Sequence, residues 1–138
     1  MTPRKTSTGA VLEAMIRPAL ERGGCKWTKQ REIGSRPGGR KHIVDAVVSR
    51  NNKHILVSLK WQQTSGTAEQ KVPFEVICLS DAVRDGHGDH AYLVLGGDGW
   101  TLRDYYTSGG FTDHLIHAAL VHVVTLEKFV RLANDSKL

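Results

Sequence analysis

The sequence has little that would suit a membrane, a secreted framework or a nucleotide pocket. Nowhere do about 18 apolar residues run together, and no signal-type apolar stretch follows the first five residues. The two cysteines, Cys25 and Cys78, have a spacing that fits no disulfide framework. The glycine-rich stretch 34–41 lacks the GxxxxGKS/T pattern that cradles phosphates. We therefore expect no membrane insertion, no secretion and no nucleotide site, and we expect a reducing, cytoplasmic location.

Length and charge set the scale of the fold but not its function. A chain of 138 residues, 40% of them hydrophobic, can build one core but not two ordinary domains. We interpret residues 1–138 as a single domain with a basic, flexible tail over residues 1–6. The formal net charge of +5 favours an anionic partner, although a modest basic excess does not identify one.

Apolar periodicity predicts an α/β fold. A first helix, capped by Ser7 or Thr8, should be kinked or divided at Pro18, and a strand over 25–33 should lead into a basic, flexible loop over 34–41. Further strands are predicted over 43–48, 55–61, 91–95 and 121–125, and further helices over 67–83, 114–120 and 126–132. Pro73 should shorten or bend the start of the 67–83 helix, and residues 100–110 fit no single element. This order predicts a mixed sheet flanked by helices on both faces.

Two neighbouring predicted strands bring a carboxylate, a hydroxyl and an amine together. Asp45 lies near the start of one strand, and Ser58 and Lys60 share a face of the next because side chains alternate. Metal-dependent phosphodiester cleavage uses at least two hard oxygen ligands for Mg²⁺ and a cation near the phosphate. Asp45 and Lys60 supply one of each, while Ser58 stands where a second carboxylate would be convenient. Taken alone, a serine and a lysine on one face are also typical of a solvated strand.

The second carboxylate has two candidates on the 67–83 helix. At about 100° per residue, Glu75 falls roughly 20° outside Ala68 on the apolar stripe, so its side chain should face the sheet. Burial of an unpaired carboxylate costs several kcal/mol, which predicts a metal, Lys60 or an arginine as its partner. Glu69, on the other border of the stripe, is the alternative.

Asp45, the Ser58-x-Lys60 segment and a downstream helical glutamate resemble the PD-(D/E)XK nuclease superfamily, which has the restriction-endonuclease-like fold. In that family an aspartate precedes a strand bearing (D/E)-x-K, and some members carry serine at the first position with a glutamate relocated to the next helix. Val44 departs from the pattern, because the motif has proline there. Glu13 resembles a glutamate that many members, Holliday junction resolvases included, place beside the metal. Gln62 resembles a glutamine that follows the lysine in several branches, and the 34–41 loop resembles their basic loop.

The resemblance implies a role for each of these residues. The implied metal ligands are Asp45, Glu75, Glu69 as the alternative to Glu75, and Glu13 as an outer ligand, for Mg²⁺ with Mn²⁺ as a substitute. Lys60 would orient or help to activate water and stabilise phosphate charge, and Ser58 would support the metal shell. The implied DNA contacts are Arg36, Arg40, Lys41 and Gln62.

The function that follows is a Mg²⁺-dependent DNA endonuclease of bacterial or phage origin, acting as a homodimer. Because the chain leaves little room for a separate recognition domain, structure-directed cutting of branched DNA such as a Holliday junction is favoured. The alternatives are a compact type II restriction-like endonuclease, the nuclease subunit of a larger assembly and, in a different class, a DNA-binding module without catalytic activity.

Overall fold

Five strands form one mixed sheet in the computed structural model, which describes residues 8–138. In order across the sheet, the strands are β1 (Lys26–Ser35), β2 (Lys41–Arg50), β3 (Lys53–Trp61), β4 (His90–Gly96) and β5 (Val121–Thr125). The first three strands are antiparallel neighbours, whereas β3, β4 and β5 run parallel. The predicted tail over residues 1–6 and the predicted cap Ser7 lie outside the described residues.

Helices fill the connections between the strands. The N-terminal segment consists of α1 (Thr8–Val11), a π-helical turn (Leu12–Ile16) and α2 (Arg17–Arg22). The later helices are α3 (Ala68–Arg84), α4 (Arg103–Thr107), a 3₁₀ turn (Thr112–His114) and α5 (Leu126–Asn134). Pro18 is the second residue of α2 and directly follows the π-helical turn and Arg17, so the first helix is interrupted next to this proline, as predicted, while the backbone stays helical through Ile16 and Arg17. Within residues 8–138 no helix is both long and apolar enough to cross a membrane.

The sheet carries a hydrophobic core on each face. Alternate residues of β3 separate the two cores: Ile55, Val57 and Leu59 pack with the N-terminal helices and α5, whereas Leu56 packs with α3. The α3 residues in the second core are Val72, Val76, Leu79 and Ala82. The predicted α/β class, with a mixed sheet between helices, is confirmed and is consistent with a restriction-endonuclease-like fold.

Two hairpins join the antiparallel strands, and both are tighter than predicted. Asn51 and Asn52 form the two-residue turn between β2 and β3, with φ values of 52° and 63° that asparagine tolerates better than most residues. Between β1 and β2, Arg36 N donates to Arg40 O at 2.7 Å. The predicted flexible loop over 34–41 is therefore wrong in extent, because β1 continues to Ser35 and only 36–40 form a hydrogen-bonded turn.

The predicted helix over 114–120 is also wrong. Residues 115–120 form turns, and Val121 N donates to Ala118 O just before β5 begins. The connection between β4 and β5 instead contains α4 and the 3₁₀ turn. Part of the segment 100–110, for which the sequence predicted no element, is therefore the helix α4. Ala118 is buried, but Ile116 is 90% exposed, so the apolar residues of this segment do not form one buried face.

Pro73 lies inside α3 without interrupting it. Proline has no N–H, so the carbonyl of Glu69, four residues earlier, loses its helical donor. Tyr106 Oη of α4 donates to that carbonyl at 2.9 Å. The predicted shortening at Pro73 is therefore absent, since α3 starts at Ala68 and a side chain from α4 replaces the missing hydrogen bond.

Candidate active site

Asp45 occupies the point where β2 and β3 separate. The antiparallel pairing of these strands runs from Arg50–Lys53 to Ala46–Val57. Beyond that pair, Asp45 Oδ2 accepts a hydrogen bond of 2.6 Å from Leu59 N. A carboxylate thus replaces a backbone carbonyl as the acceptor, and the charge makes this a strong hydrogen bond.

One cavity of about 310 Å³ contains the side chains that the sequence predicts to lie together. Its lining includes Asp45, Ser58, Lys60 and Glu75. Alternation along β3 and the apolar stripe of α3 predict this meeting, and their geometry agrees with it. A larger groove of about 530 Å³ runs beside β5, but its lining includes none of these four residues, so its size has no bearing on their chemistry.

Glu75 is the carboxylate that α3 contributes to the cavity, and it is held by two donors. Ser58 Oγ donates to Glu75 Oε2 at 2.6 Å, and His42 Nε2 lies 3.2 Å from the same oxygen. All three residues are buried, with exposures of 3% for Ser58, 2% for His42 and 6% for Glu75. The prediction that Glu75 faces the sheet is confirmed, but the protein partners found there are a serine and a histidine.

The surroundings of the two carboxylates shift their pKa values in opposite directions. Burial raises the pKa of Asp45, and the nearby charge of Glu75 adds to that effect, while the Leu59 N–H and the Lys60 charge oppose it. Burial also acts to raise the pKa of Glu75, but the hydrogen bonds from His42 and Ser58 and the charge of Lys60 together hold it below its usual value. The pKa values of the two carboxylates are therefore shifted in opposite directions.

The donor set fits a hard divalent cation. The hydrogen bonds to the two carboxylates use Asp45 Oδ2 and Glu75 Oε2, so within the described chain the second oxygen of each remains available as a ligand. Residues 8–138 contain no group of three or more His, Cys, Asp or Glu side chains arranged around a common metal position. Mg²⁺ suits such a site, because it is commonly bound through one or two carboxylates and completes its shell with water and substrate phosphate.

Three of the predicted site residues form side-chain hydrogen bonds or ion pairs away from the cavity. Glu13 bonds to Lys29 at 2.8 Å and to Arg17 at 3.1 Å, and its side chain is 40% exposed. Glu69 accepts from Gln62 Nε2 at 3.2 Å and from the backbone N–H of Thr101. Neither carboxylate lines the cavity of Asp45, so Glu75 is the second carboxylate that the structure brings to it.

Gln62 is the third residue whose hydrogen bonds are made away from the cavity. It is 5% exposed, and its amide donates to Gly99 O at 2.8 Å as well as to Glu69. Its Oε1 accepts from Ala68 N, the first residue of α3, at 3.0 Å. These bonds tie the start of α3 to the loop after β4, which makes Gln62 a structural residue here and corrects its expected position on the DNA-facing surface.

Basic residues surround the cavity to different degrees. Arg36 lines it, and its Nε donates to Lys41 O at 3.2 Å, while Arg40 and Lys41 are exposed at the hairpin. Lys71, four residues before Glu75 on α3, also lines the cavity and was not predicted. Its position i−4 to Glu75 on one helix could have indicated it, whereas His42 carries no comparable sequence signal.

Comparisons with known proteins agree with the predicted resemblance. A family model described as a PD-(D/E)XK nuclease superfamily domain matches residues 4–137. No curated protein matches the sequence.

Two solved structures match the chain over most of its length. AF1548, a protein of unknown function, is 10% identical, with a TM-score of 0.48 over 80% of this chain and 54% of its own. SfsA of Pyrococcus furiosus, solved in complex with Ca²⁺, is 17% identical, with a TM-score of 0.45 over 84% of this chain and 52% of its own. The chain thus spans about half the length of each of these two proteins.

Proposed function

The chain belongs to the PD-(D/E)XK nuclease superfamily, and on that basis we propose that it is a DNA endonuclease that requires a divalent cation. The observation that carries the proposal is the single cavity in which Asp45, Glu75 and Lys60 meet. Two carboxylates and an ammonium group can hold a hard cation beside a phosphate and neutralise the charge that develops there.

Asp45 and Glu75 are the proposed ligands of Mg²⁺, with Mn²⁺ as a substitute. When bound, the ion would supply Lewis-acid stabilisation of the phosphate during hydrolysis. Asp45 is fixed by Leu59 N and Glu75 by Ser58 Oγ, so neither carboxylate must be reoriented for each turnover. Ser58 therefore acts as a support for the relocated glutamate.

Lys60 is the proposed cation at the scissile phosphate. It is partly buried on β3, and within residues 8–138 no carboxylate forms an ion pair with it. The charge of Lys60 nevertheless acts on both Asp45 and Glu75. An ammonium group that no carboxylate neutralises can orient water and stabilise the negative charge of the phosphate.

Contacts with the DNA backbone are proposed for Arg36 and Lys71 at the cavity and for Arg40 and Lys41 at the exposed hairpin. These side chains would neutralise phosphates without reading bases, so binding should be salt-sensitive and weakly dependent on sequence. Because contacts of this kind follow the shape of the DNA backbone, we extend the proposal to structure-directed cutting of branched DNA, with a homodimer supplying one active site for each of the two cuts.

A comparison of three DNA substrates tests this substrate preference. A labelled four-way junction, a matched linear duplex and a plasmid are incubated with wild type in Mg²⁺, Mn²⁺ or EDTA. Selective, metal-dependent cutting of the junction is the expected result, whereas discrete plasmid fragments would establish a restriction-like enzyme instead. Binding without cutting would contradict the endonuclease proposal for the isolated chain and leave a binding module or a partner-dependent subunit. Sedimentation of the protein alone and with junction DNA tests the homodimer.

A further inference from the structure

His42 is a buried polar residue at the start of β2 that the proposed chemistry does not yet use. It is 2% exposed, and it does not line the cavity of Asp45 and Lys60. Its ring nitrogen Nε2 lies 3.2 Å from Glu75 Oε2, the oxygen that also accepts from Ser58. Buried histidines need a hydrogen-bond partner, and this one has taken a carboxylate as its partner.

The chemistry of the contact fixes the direction of the bond. An ionised carboxylate only accepts hydrogen bonds, so Ser58 Oγ and His42 Nε2 must both donate to Glu75. The His42 ring therefore carries a proton on Nε2. Both donors converge on Oε2, which leaves Oε1 outside this pair of bonds.

Two donors on one oxygen do more than one donor can. A glutamate on a helix reaches its target through three rotatable bonds, so a second hydrogen bond from another direction restricts the carboxylate further than the bond from Ser58 does alone. Ser58 approaches from β3 and His42 from β2, so the two strands on which the cavity is built both restrain the carboxylate from α3. Partners of this kind orient metal ligands, and their loss weakens metal binding even though they never touch the ion.

We propose that His42 is a positioning residue: by donating to Oε2 of Glu75, it sets the orientation in which this carboxylate binds the divalent cation. The inference rests on the proposed function, because it concerns the same site. It assigns to His42 no contact with DNA or with the reacting atoms.

A matched pair of variants separates the hydrogen bond from the packing. His42→Gln keeps an N–H donor at the same number of bonds from Cα as Nε2, and His42→Met has similar length and no donor. Val44→Ala, two residues along β2 at a fully buried apolar position, is the control for loosened packing of this strand. Thermal unfolding of each protein shows which variants are folded.

Direct Mn²⁺ binding is measured without DNA, by electron paramagnetic resonance of the free ion. We expect His42→Met to weaken binding about 10- to 100-fold, with His42→Gln and Val44→Ala close to wild type. In cleavage assays, His42→Met should raise the half-saturating metal concentration by a similar factor and leave kcat at saturating metal within a few-fold of wild type.

Three results would overturn the inference. Wild-type Mn²⁺ affinity in His42→Met would show that the donor is dispensable, and equal weakening in His42→Gln or Val44→Ala would assign the effect to packing. Either result leaves the proposed function standing, since wild type still binds metal and cuts DNA. A wild-type protein that bound no Mn²⁺ would overturn both proposals together.

Discussion

At the scale of single residues, the two carboxylates of the cavity are opposites in their response to pH. Asp45 has a raised pKa because it is buried beside Glu75, and Glu75 has a lowered pKa because its two hydrogen-bond donors and the Lys60 charge together outweigh burial. In the folded protein, ionised Asp45 is thus disfavoured and ionised Glu75 is favoured. Each direction leads to a different consequence for stability.

Asp45→Asn should abolish metal binding without lowering stability. The amide oxygen of asparagine can still accept from Leu59 N, and the substitution removes a buried charge that destabilises the fold at neutral pH. Thermal unfolding at pH 7.5 in EDTA should therefore show an equal or higher Tm, while Mn²⁺ binding is lost. Asp89→Asn, which alters another carboxylate bonded to a strand N–H, is the control and should bind Mn²⁺ normally. A Tm several degrees lower in Asp45→Asn would contradict the account.

Ser58→Ala should destabilise the protein in a pH-dependent manner. The lowered pKa of Glu75 contributes stability above the usual glutamate pKa, and this contribution is lost as the pH falls through the folded-state value. Removal of one donor should cost about 2 kcal/mol of unfolding free energy at pH 7 and less near pH 4.

Urea unfolding at several pH values measures the effect of Ser58→Ala. Ser80→Ala is the matched control, because this buried serine donates to the backbone Val76 O at 2.8 Å and bonds to no carboxylate in the described structure. Its cost should be the same at every pH. A loss for Ser58→Ala that is equally independent of pH would contradict the assignment of its partner.

The sequence correctly predicted which side chains lie together where the regular period of a strand or a helix determines the direction of each side chain. Alternation on β3 placed Ser58 with Lys60, and the helical stripe placed Glu75 toward them. Their catalytic roles stay predictions. The contact of His42 was not predicted, because its partner Glu75 is 33 positions away and the contact depends on how α3 crosses the sheet. The prediction that Glu13 lies at the metal site was wrong, because its carboxylate forms ion pairs with Arg17 and with Lys29 of β1 instead.

At the scale of elements, α3 depends on α4 for the hydrogen bond that Pro73 removes. Tyr106→Phe should destabilise the protein by about 1 kcal/mol, since it leaves the Glu69 carbonyl without its donor. Pro73→Ala restores a helical N–H to the same carbonyl, so Tyr106→Phe should cost less in that background. Urea unfolding of the four proteins of this double-mutant cycle measures the coupling, and strictly additive costs would contradict it.

Helices and strands were predicted correctly where the apolar pattern was long or strictly alternating. The five strands and the long helix α3 lie close to their predicted bounds, and the closing helix α5 extends only to Asn134. The 114–120 prediction was wrong because the apolar residues of this short segment do not share a buried face: Ala118 is buried, whereas Ile116 is 90% exposed. Extended backbone through Ser35 was missed because Gly34 signals a loop.

At the scale of the whole molecule, we expect the basic residues at the cavity face, and not the net positive charge as such, to bind DNA. Lys71 lies on α3 beside the cavity, whereas Lys128 lies on α5, which packs against the opposite core. Lys71→Ala should weaken DNA binding in EDTA several-fold and reduce the magnitude of the salt slope by about 0.9, the value of one phosphate contact. Fluorescence anisotropy at several salt concentrations measures both. Lys128→Ala should change neither, and equal losses in the two variants would indicate diffuse attraction instead.

The central claim, that Lys60 acts with two carboxylates in metal-dependent DNA cleavage, is tested most directly by one paired assay. Wild type and Lys60→Ala are incubated with labelled junction and duplex DNA in Mg²⁺, Mn²⁺ or EDTA, and Mn²⁺ binding by each protein is measured in parallel. We predict that wild type cuts only with metal and that Lys60→Ala cuts about 100-fold more slowly or not at all while still binding Mn²⁺. Cleavage by Lys60→Ala at the wild-type rate, or cutting by wild type in EDTA, would contradict the account.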